Sequence, residues 1–372
     1  MKRRIICPAC GVLVLLLCLG MLTGCENREE GPQKEAPKET EQTVPPESSA
    51  PIEQEPLTAP DRETVKRELL EAIEELRQPR TMDISAAGLE APEMDVKNLY
   101  YELMAERPEM KYAYDLTVTV REGELTCRFS YMPYKTGAFP EGGAGEEIPS
   151  LSALLTAAES HLGESEAPIR ITDSTLEPDR MNQLLRQVGG GYILCTLNAD
   201  ATKLVYSPPR GMTLEECMEA LAIADRLAEE VVEQVITDGM TQMEQARALY
   251  AFLTVHVAYD QRYYSDKANM PYASQTAVGA LRDGSAICGG YANALKLLYE
   301  KVDIPCYTVS GKYFQENHMW NVARLDGEWL WFDATTDRGS TGEFGFLRFA
   351  LTELDPMKYH YEEADVTALT AP

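Results

Sequence analysis

Asn317-His318-Met319-Trp320-Asn321-Val322-Ala323-Arg324-Leu325-Asp326-Gly327-Glu328-Trp329-Leu330-Trp331-Phe332-Asp333-Ala334-Thr335 is the stretch that decides the fold. Residues 317–325 and 328–333 alternate in the manner of strands, with Asp326-Gly327 between them. Asp-Gly is a strong hairpin signal, because a type I′ turn needs positive φ at both central residues. With a two-residue turn, Leu325 pairs with Glu328 and facing residue numbers sum to 653. His318 then faces Thr335, and Asp333 is its diagonal neighbour on the same face. Diagonal neighbours lie about 7–8 Å apart at Cα, within reach of a His–Asp side-chain hydrogen bond. A slip of one residue would put the two on opposite faces. The hairpin register by itself predicts an oriented imidazole.

Upstream lies Gly284-Ser285-Ala286-Ile287-Cys288-Gly289-Gly290-Tyr291-Ala292. Apolar residues at 291, 294, 295, 298 and 299 give helical spacing over 289–300. Ser285 is the expected N-cap. Cys288 then falls in the first turn, where free N–H groups and the helix dipole suit a thiolate. Gly289 and Gly290 are expected to leave room for a substrate backbone. Cys288, His318 and Asp333 thus fall within 46 residues, and a thiol nucleophile needs a base and a group to orient that base. Each residue alone has an ordinary reading: a small buried hydrophobe, a strand histidine, a turn aspartate. Together, in this order and register, they form a candidate catalytic set.

Residues from about Tyr259 to Arg338 resemble the core of the transglutaminase-like superfamily, the papain-related thiol enzymes. The matching pieces are Ala277-Val278-Gly279-Ala280-Leu281, Gly284 through Ala292, Ile304-Pro305, Val309-Ser310-Gly311, His318 through Asn321, Leu325 through Trp329, and Phe332-Asp333-Ala334-Thr335. The resemblance covers about 80 residues, a little over a fifth of the chain. It implies an α+β fold, a catalytic helix packed on an antiparallel sheet, with Cys288, His318 and Asp333 as the triad. Asp303 stands where a glycine often precedes Ile-Pro, and Met319 where a small residue often follows the histidine; neither touches the triad. Members of this family include amide-crosslinking enzymes, peptidases, deamidases and inactive relatives.

The amino terminus bears on compartment. Lys2, Arg3 and Arg4 precede an apolar run from Ile5 to Met21, and Leu22-Thr23-Gly24-Cys25 reads as a lipobox. Residues 1–24 are expected to be a signal peptide, with lipidated Cys25 anchoring the protein to the extracytoplasmic face of a bacterial membrane. Cys7-Pro8-Ala9-Cys10 lies in the segment so removed. Residues 26–60 hold seven prolines, nine acidic and three basic residues. Such a stretch cannot bury enough surface to offset chain entropy, so 25–60 is expected to be a disordered tether.

The chain carries 60 acidic and 34 basic residues, a net charge of −26. Loss of Lys2, Arg3 and Arg4 with residues 1–24 leaves 31 basic residues against 60 acidic, a net −29. Nucleic acid is excluded as a partner, since such binding rests on neutralising phosphates with Lys and Arg. Of nine cysteines, Cys127, Cys195, Cys217, Cys288 and Cys306 remain beyond Cys25. An odd number outside the cytoplasm leaves at least one free thiol, and Cys288 is the natural one. Their spacing matches no zinc pattern, and no calcium-loop pattern occurs, so neither metal nor organic cofactor is expected.

Some 310 residues after the tether suffice for one large or two modest domains. A mixed α/β region is expected over 61–210 and the transglutaminase-like domain over 211–372. Helices at 61–76 and 96–105 precede strands at 112–120 and 124–131. A weak echo follows: helix 181–188, then strands 191–197 and 202–206, which suggests a duplicated αββ unit. Thr213-Leu214-Glu215-Glu216 and Thr241-Gln242-Met243-Glu244 are capping-box patterns opening two further helices. His256 reads as a helix-end residue, and His161 and His360 have no evident partners.

The expected chemistry is thiol acyl transfer on amide or peptide bonds of an envelope protein or peptide. His318 deprotonates Cys288, Asp333 holds the imidazolium, and a thioester is resolved by water or an amine. The oxyanion would be held by the Cys288 N–H and a second donor, Gln275 or Tyr259. The rival reading is a catalytically silent binding module of the cell envelope that keeps this fold. Third, and weakest, is a structural lipoprotein in which the triad is coincidence.

Overall fold

Asp326 and Gly327 take φ values of 49° and 92°, the backbone a type I′ turn demands. Leu325 pairs with Glu328, and the expected register runs down to Asn321 opposite Phe332. There the ladder ends, so His318 does not face Thr335 across it; on its other side His318 lies opposite Gly311. The structure, a computed structural model, describes residues 56–139, 145–339 and 349–370, all within one body beginning at Gln54. The expected signal peptide, Cys25 and tether up to residue 55 lie outside the described residues. The last part of that tether is structured instead. Leu57–Thr58 pairs with Met82–Asp83, and Ala59 is fully buried.

Two copies of one unit follow. The first is β1 (Leu57–Thr58), α1 (Arg62–Glu74), β2 (Met82–Asp83), α2 (Pro92–Glu106), β3 (Ala113–Arg121) and β4 (Glu124–Tyr131). The second is β5 (Glu146–Ile148), α3 (Leu151–Ser160), β6 (Glu166–Ile171), α4 (Pro178–Leu185), β7 (Leu194–Leu197) and β8 (Lys203–Ser207). Their sheets share one order, β1-β2-β4-β3 and β5-β6-β8-β7, each with a parallel first pair and a terminal hairpin. The repeat is therefore βαβαββ, longer than an αββ echo. Three of its first strands span only two or three residues, too few to show a period of two. The strand expected from Gly191 begins only at Leu194, because Gly189, Gly190 and Gly191 all take positive φ.

The remainder comprises α5 (Leu214–Val235), α6 (Gln242–His256), β9 (Ala258–Tyr259), α7 (Ala277–Leu281), β10 (Ser285–Ala286), α8 (Cys288–Glu300), β11 (Cys306–Tyr313), β12 (Glu316–Leu325), β13 (Glu328–Phe332), β14 (Tyr359–His360) and α9 (Glu363–Thr370). Both capping boxes form, at Thr213/Glu216 and Thr241/Glu244. The sheet order is β13-β12-β11-β14, antiparallel throughout. Helix α8 lies on it, its buried Tyr299 ring edge-on to Phe332 at 5.6 Å. The fold is α+β, with a helix carrying the cysteine on an antiparallel sheet.

The cores do not divide at residue 210. The first unit has its own core around Val65, Leu69, Leu99 and Leu125. The second shares one core with everything after it, running from Ile148 and Met181 through Ala228 of α5 to Tyr299 and Phe332. Gln187 reinforces that union. Its amide donates to the Thr308 carbonyl at 3.1 Å and accepts from the Thr308 N–H at 2.8 Å. It thereby closes the edge of β11 where β14, paired only at Lys312 and Tyr313, does not reach. Among the described residues no helix is long and apolar enough to cross a membrane.

Candidate active site

Cys288 is the first helical residue of α8, so its N–H has no acceptor within the helix. The expected cap is corrected: Ile287 occupies the N-cap without a side-chain bond, while Ser285 lies in β10 opposite Ala258. Strand pairing takes Ser285 before it can cap. The glycines after the cysteine also serve a purpose other than the expected one. A Cβ on Gly290 would stand 2.6 Å from the Ser274 carbonyl oxygen and 2.7 Å from the Ala286 Cβ. One on Gly289 would stand 3.0 Å from the Gln275 carbonyl oxygen. These positions are glycine so that the first turn of α8 can seat on the 274–276 backbone. Asn293 fastens the contact, its Nδ2 donating to the carbonyls of Gly289 (2.9 Å) and Gln275 (3.2 Å).

The thiol of Cys288 is partly exposed, whereas Cys127, Cys195, Cys217 and Cys306 are buried; all five are free. Those four are therefore separate buried thiols rather than disulfide partners. Cys288 neighbours the imidazole of His318, whose Nε2 lies 3.0 Å from Asp333 Oδ2. With Asp333 on Nε2, the Nδ1 side of the ring is left for the sulfur. His318 stacks against Trp320 at 5.8 Å and packs on Tyr313 at 5.5 Å. The buried Asn321, on the same strand, donates to the Ala292 carbonyl of α8 at 2.9 Å and locks strand to helix. That bond sets His318 and Cys288 against each other.

Asp333 sits just past the end of the β12–β13 ladder. Its Oδ1 accepts the Thr336 N–H at 3.1 Å, and its Oδ2 accepts the Tyr359 hydroxyl at 2.8 Å as well as His318. Burial pushes the Asp333 carboxyl up, but these bonds and the His318 charge outweigh it and hold it below the usual range. Burial likewise pushes His318 down, and its bonds to Asp333 and Cys288 raise it to about 9. The site therefore favours imidazolium beside two anionic partners.

Of the two second-donor candidates, Tyr259 comes to the cysteine. Its strand lies parallel to β10, Tyr259 opposite Ala286, and its hydroxyl is pushed up by burial, by a bond with Tyr264 and by the charge of Cys288. It stays a protonated O–H donor over the working range, under the Arg338 guanidinium, 4.9 Å from its ring centroid. Gln275 lies beside Gly289 through its backbone, whose carbonyl accepts from Asn293. From Tyr259 the contacts run on through Tyr264, stacked at 5.8 Å, to Glu316, which accepts the Tyr264 hydroxyl at 2.9 Å.

Sequence reasoning missed Tyr359 and Asp260. Asp260 is buried, receives Arg262 at 2.9 Å and Ser274 at 2.6 Å, and is held down to about 2, chiefly by the Arg262 bonds. It ties the segment after β9 to the turn on which α8 rests. The dipeptide Tyr259-Asp260 offered a signal for this, but its partner Ser274, 14 residues on, did not. The other histidines lie elsewhere. His161 bonds Glu164 at 2.8 Å and Glu146 at 3.3 Å, and His256 ends α6, stacked on Phe252.

Residues 229–334 match the model of the transglutaminase-like superfamily. The chain carries a transglutaminase-like domain. Kyphoscoliosis peptidase of Mus musculus is 25% identical over 134 residues, 32% of this chain and 20% of the relative. The Homo sapiens protein of that name is 26% identical over 135 residues, with the same shares. The chain thus spans about a fifth of the length of these curated relatives. A crystal structure of a TGase covers 51% of this chain and 59% of its own, at 13% identity and a TM-score of 0.28. The matched segment contains Cys288, His318 and Asp333 and ends before Tyr359.

Proposed function

We propose that this protein is a cysteine-dependent enzyme that cleaves or transfers amide or peptide bonds through a thioester on Cys288. What carries the reading is the contact chain Cys288–His318–Asp333, with the carboxylate buried and the thiol partly exposed. The resemblance of this domain to proteins named as peptidases favours a peptide or protein substrate.

His318 takes the Cys288 proton, and the thiolate attacks the carbonyl carbon of the scissile amide. The oxyanion is held by the Cys288 N–H, free by its position in the helix, and by the Tyr259 hydroxyl, which turns from Tyr264 to face it. As the C–N bond breaks, imidazolium His318 gives its proton to the leaving amine or ammonia. Water or a second amine, deprotonated by His318, then attacks the thioester and restores the thiol. Asp333 keeps the imidazole in one orientation throughout. These steps run on the chain's own residues.

The place of action in this proposal is the extracytoplasmic face of a bacterial membrane. Its support is the basic, apolar and lipobox order of residues 2–25, with lipidation at Cys25. The test is alkylation of Cys288 by iodoacetamide as a function of pH, followed on the Cys288 peptide by mass spectrometry. A rate that collapses in His318→Ala supports an activated nucleophile. Identical curves in both proteins would turn the reading to a silent binding module.

A further inference from the structure

The carboxylate that orients His318 is itself held from a part of the chain outside the matched domain. Beyond residue 334 the chain returns across the sheet. Leu351 exchanges backbone hydrogen bonds with Trp331 at 2.8 and 3.0 Å, and the Phe314 N–H donates to the Lys358 carbonyl at 2.6 Å. Tyr359 then pairs with Tyr313 on β11, and α9 packs on α4 of the second βαβαββ unit, where Arg180 donates to the Ala368 carbonyl. Gly311 is needed for this crossing, since a Cβ there would lie 2.3 Å from the His360 carbonyl oxygen. The strap thus spans β13, β11 and the second unit, and it delivers one polar group into the site.

That group is the Tyr359 hydroxyl. Tyr359 is 4% exposed, with its ring edge-on to Trp320 at 5.3 Å and tilted against Tyr313 at 4.9 Å, the two aromatic neighbours of His318. Its hydroxyl lies 2.8 Å from Asp333 Oδ2, the oxygen that receives His318 Nε2. Resting on the triad reading above, we propose that Tyr359 is a positioning residue for the reaction, and that the 349–370 strap completes the active site. A buried carboxylate is stable as an anion only while hydrogen bonds replace the water it has lost. Thr336 serves Oδ1 and His318 serves Oδ2. Tyr359 supplies the further donor that fixes which oxygen the imidazole meets.

The test is Tyr359→Phe in the full chain, which removes one oxygen and keeps the ring contacts. Cys288 alkylation should slow roughly tenfold, the loss expected for one hydrogen bond to a charged group. The acid limb of its pH profile should move to higher pH, because Asp333 then protonates more readily. In an Asp333→Asn background the same substitution should have no effect, which a general packing role would not produce. Tyr359→Met carries the same comparison if the Phe variant folds poorly. A Tyr359→Phe profile superimposable on the native one, while His318→Ala still abolishes fast alkylation, overturns this role and leaves the triad reading intact. Loss of equal size in the Asp333→Asn background also overturns it. If His318→Ala leaves alkylation unchanged, the triad reading goes, and this role with it.

Discussion

The imidazole of His318 meets the carboxylate of Asp333 at 3.0 Å although their strands stop pairing three residues short of the histidine, at Asn321 and Phe332. The ladder brings the two close, and the turn after Phe332, pinned by the Thr336 N–H on Oδ1, aims the carboxylate. Orientation therefore rests on bonds to Asp333 rather than on cross-strand facing. Asp333→Asn preserves volume but gives Nε2 an amide in place of an anion. Alkylation of Cys288 should fall at least tenfold while the thermal midpoint moves little, since an orienting carboxylate acts on the imidazole's charge and tautomer. An unchanged rate would remove Asp333 from the set.

His318 should link stability to pH. Its pKa in the folded protein, about 9, lies above the ordinary value near 6.5. The folded state thus holds this proton more tightly, so the stabilisation is complete below about pH 6.5 and disappears as pH rises through about 9. The amount is at most of the order of 3 kcal/mol. Urea midpoints at pH 6 and pH 10 should differ more for the native protein than for His318→Gln. Equal losses in both would contradict the assignment.

Oxyanion stabilisation separates the two donor candidates. Tyr259→Phe should lower turnover of an amide substrate by roughly 10²–10³ with little change in Cys288 alkylation, since alkylation develops no oxyanion. Gln275→Ala should have a much smaller effect on turnover, because it is the backbone of Gln275 that supports α8. The reverse ranking would reassign the donor.

What could be read from the sequence was whatever local chemistry dictates. Asp326-Gly327 specified a turn and through it a register, and the two Thr-x-x-Glu boxes specified helix starts. Ser285 misled because a two-residue parallel ladder with Ala258, set by a segment 27 residues away, outcompeted its capping potential. Gly289 and Gly290 gave no sign that their partner was the backbone of 274–276. Tyr359 was invisible for the same reason: its partner lies 26 residues back, and its own strand is two residues long. The missed features are all long-range and carried by short elements, where periodicity has nothing to count.

The two glycines give a stability prediction with a distinct signature. In Gly290→Ala the new methyl meets the Ser274 carbonyl oxygen at 2.6 Å and the Ala286 Cβ at 2.7 Å, both within packed backbone. Overpacking of this kind costs about 1–3 kcal/mol. In Gly289→Ala the nearest atom is the Gln275 carbonyl oxygen at 3.0 Å, and the cost should be smaller. Denaturant midpoints should rank native above Gly289→Ala above Gly290→Ala. Gly290→Ala should also slow Cys288 alkylation, as α8 shifts off its seat. An undiminished midpoint in Gly290→Ala would mean that the helix does not rest on this turn.

The clasp at Gln187 tests whether the second βαβαββ unit belongs to the catalytic body. Its amide fills both the donor and the acceptor of Thr308 at an otherwise open stretch of the β11 edge. Gln187 is 8% exposed, so Gln187→Ala leaves two buried backbone groups without partners, at about 1–3 kcal/mol for each. If the unit and the domain share one core, the variant should unfold in a single transition at a lower midpoint, with Cys288 and the second unit lost together. Hydrogen exchange should then show faster opening in 306–310 and in 178–207 alike. An independently folding unit would instead separate the transition into two, with exchange raised on one side only, and residues 145–207 would then have to be counted as a neighbour of the enzyme rather than as part of it.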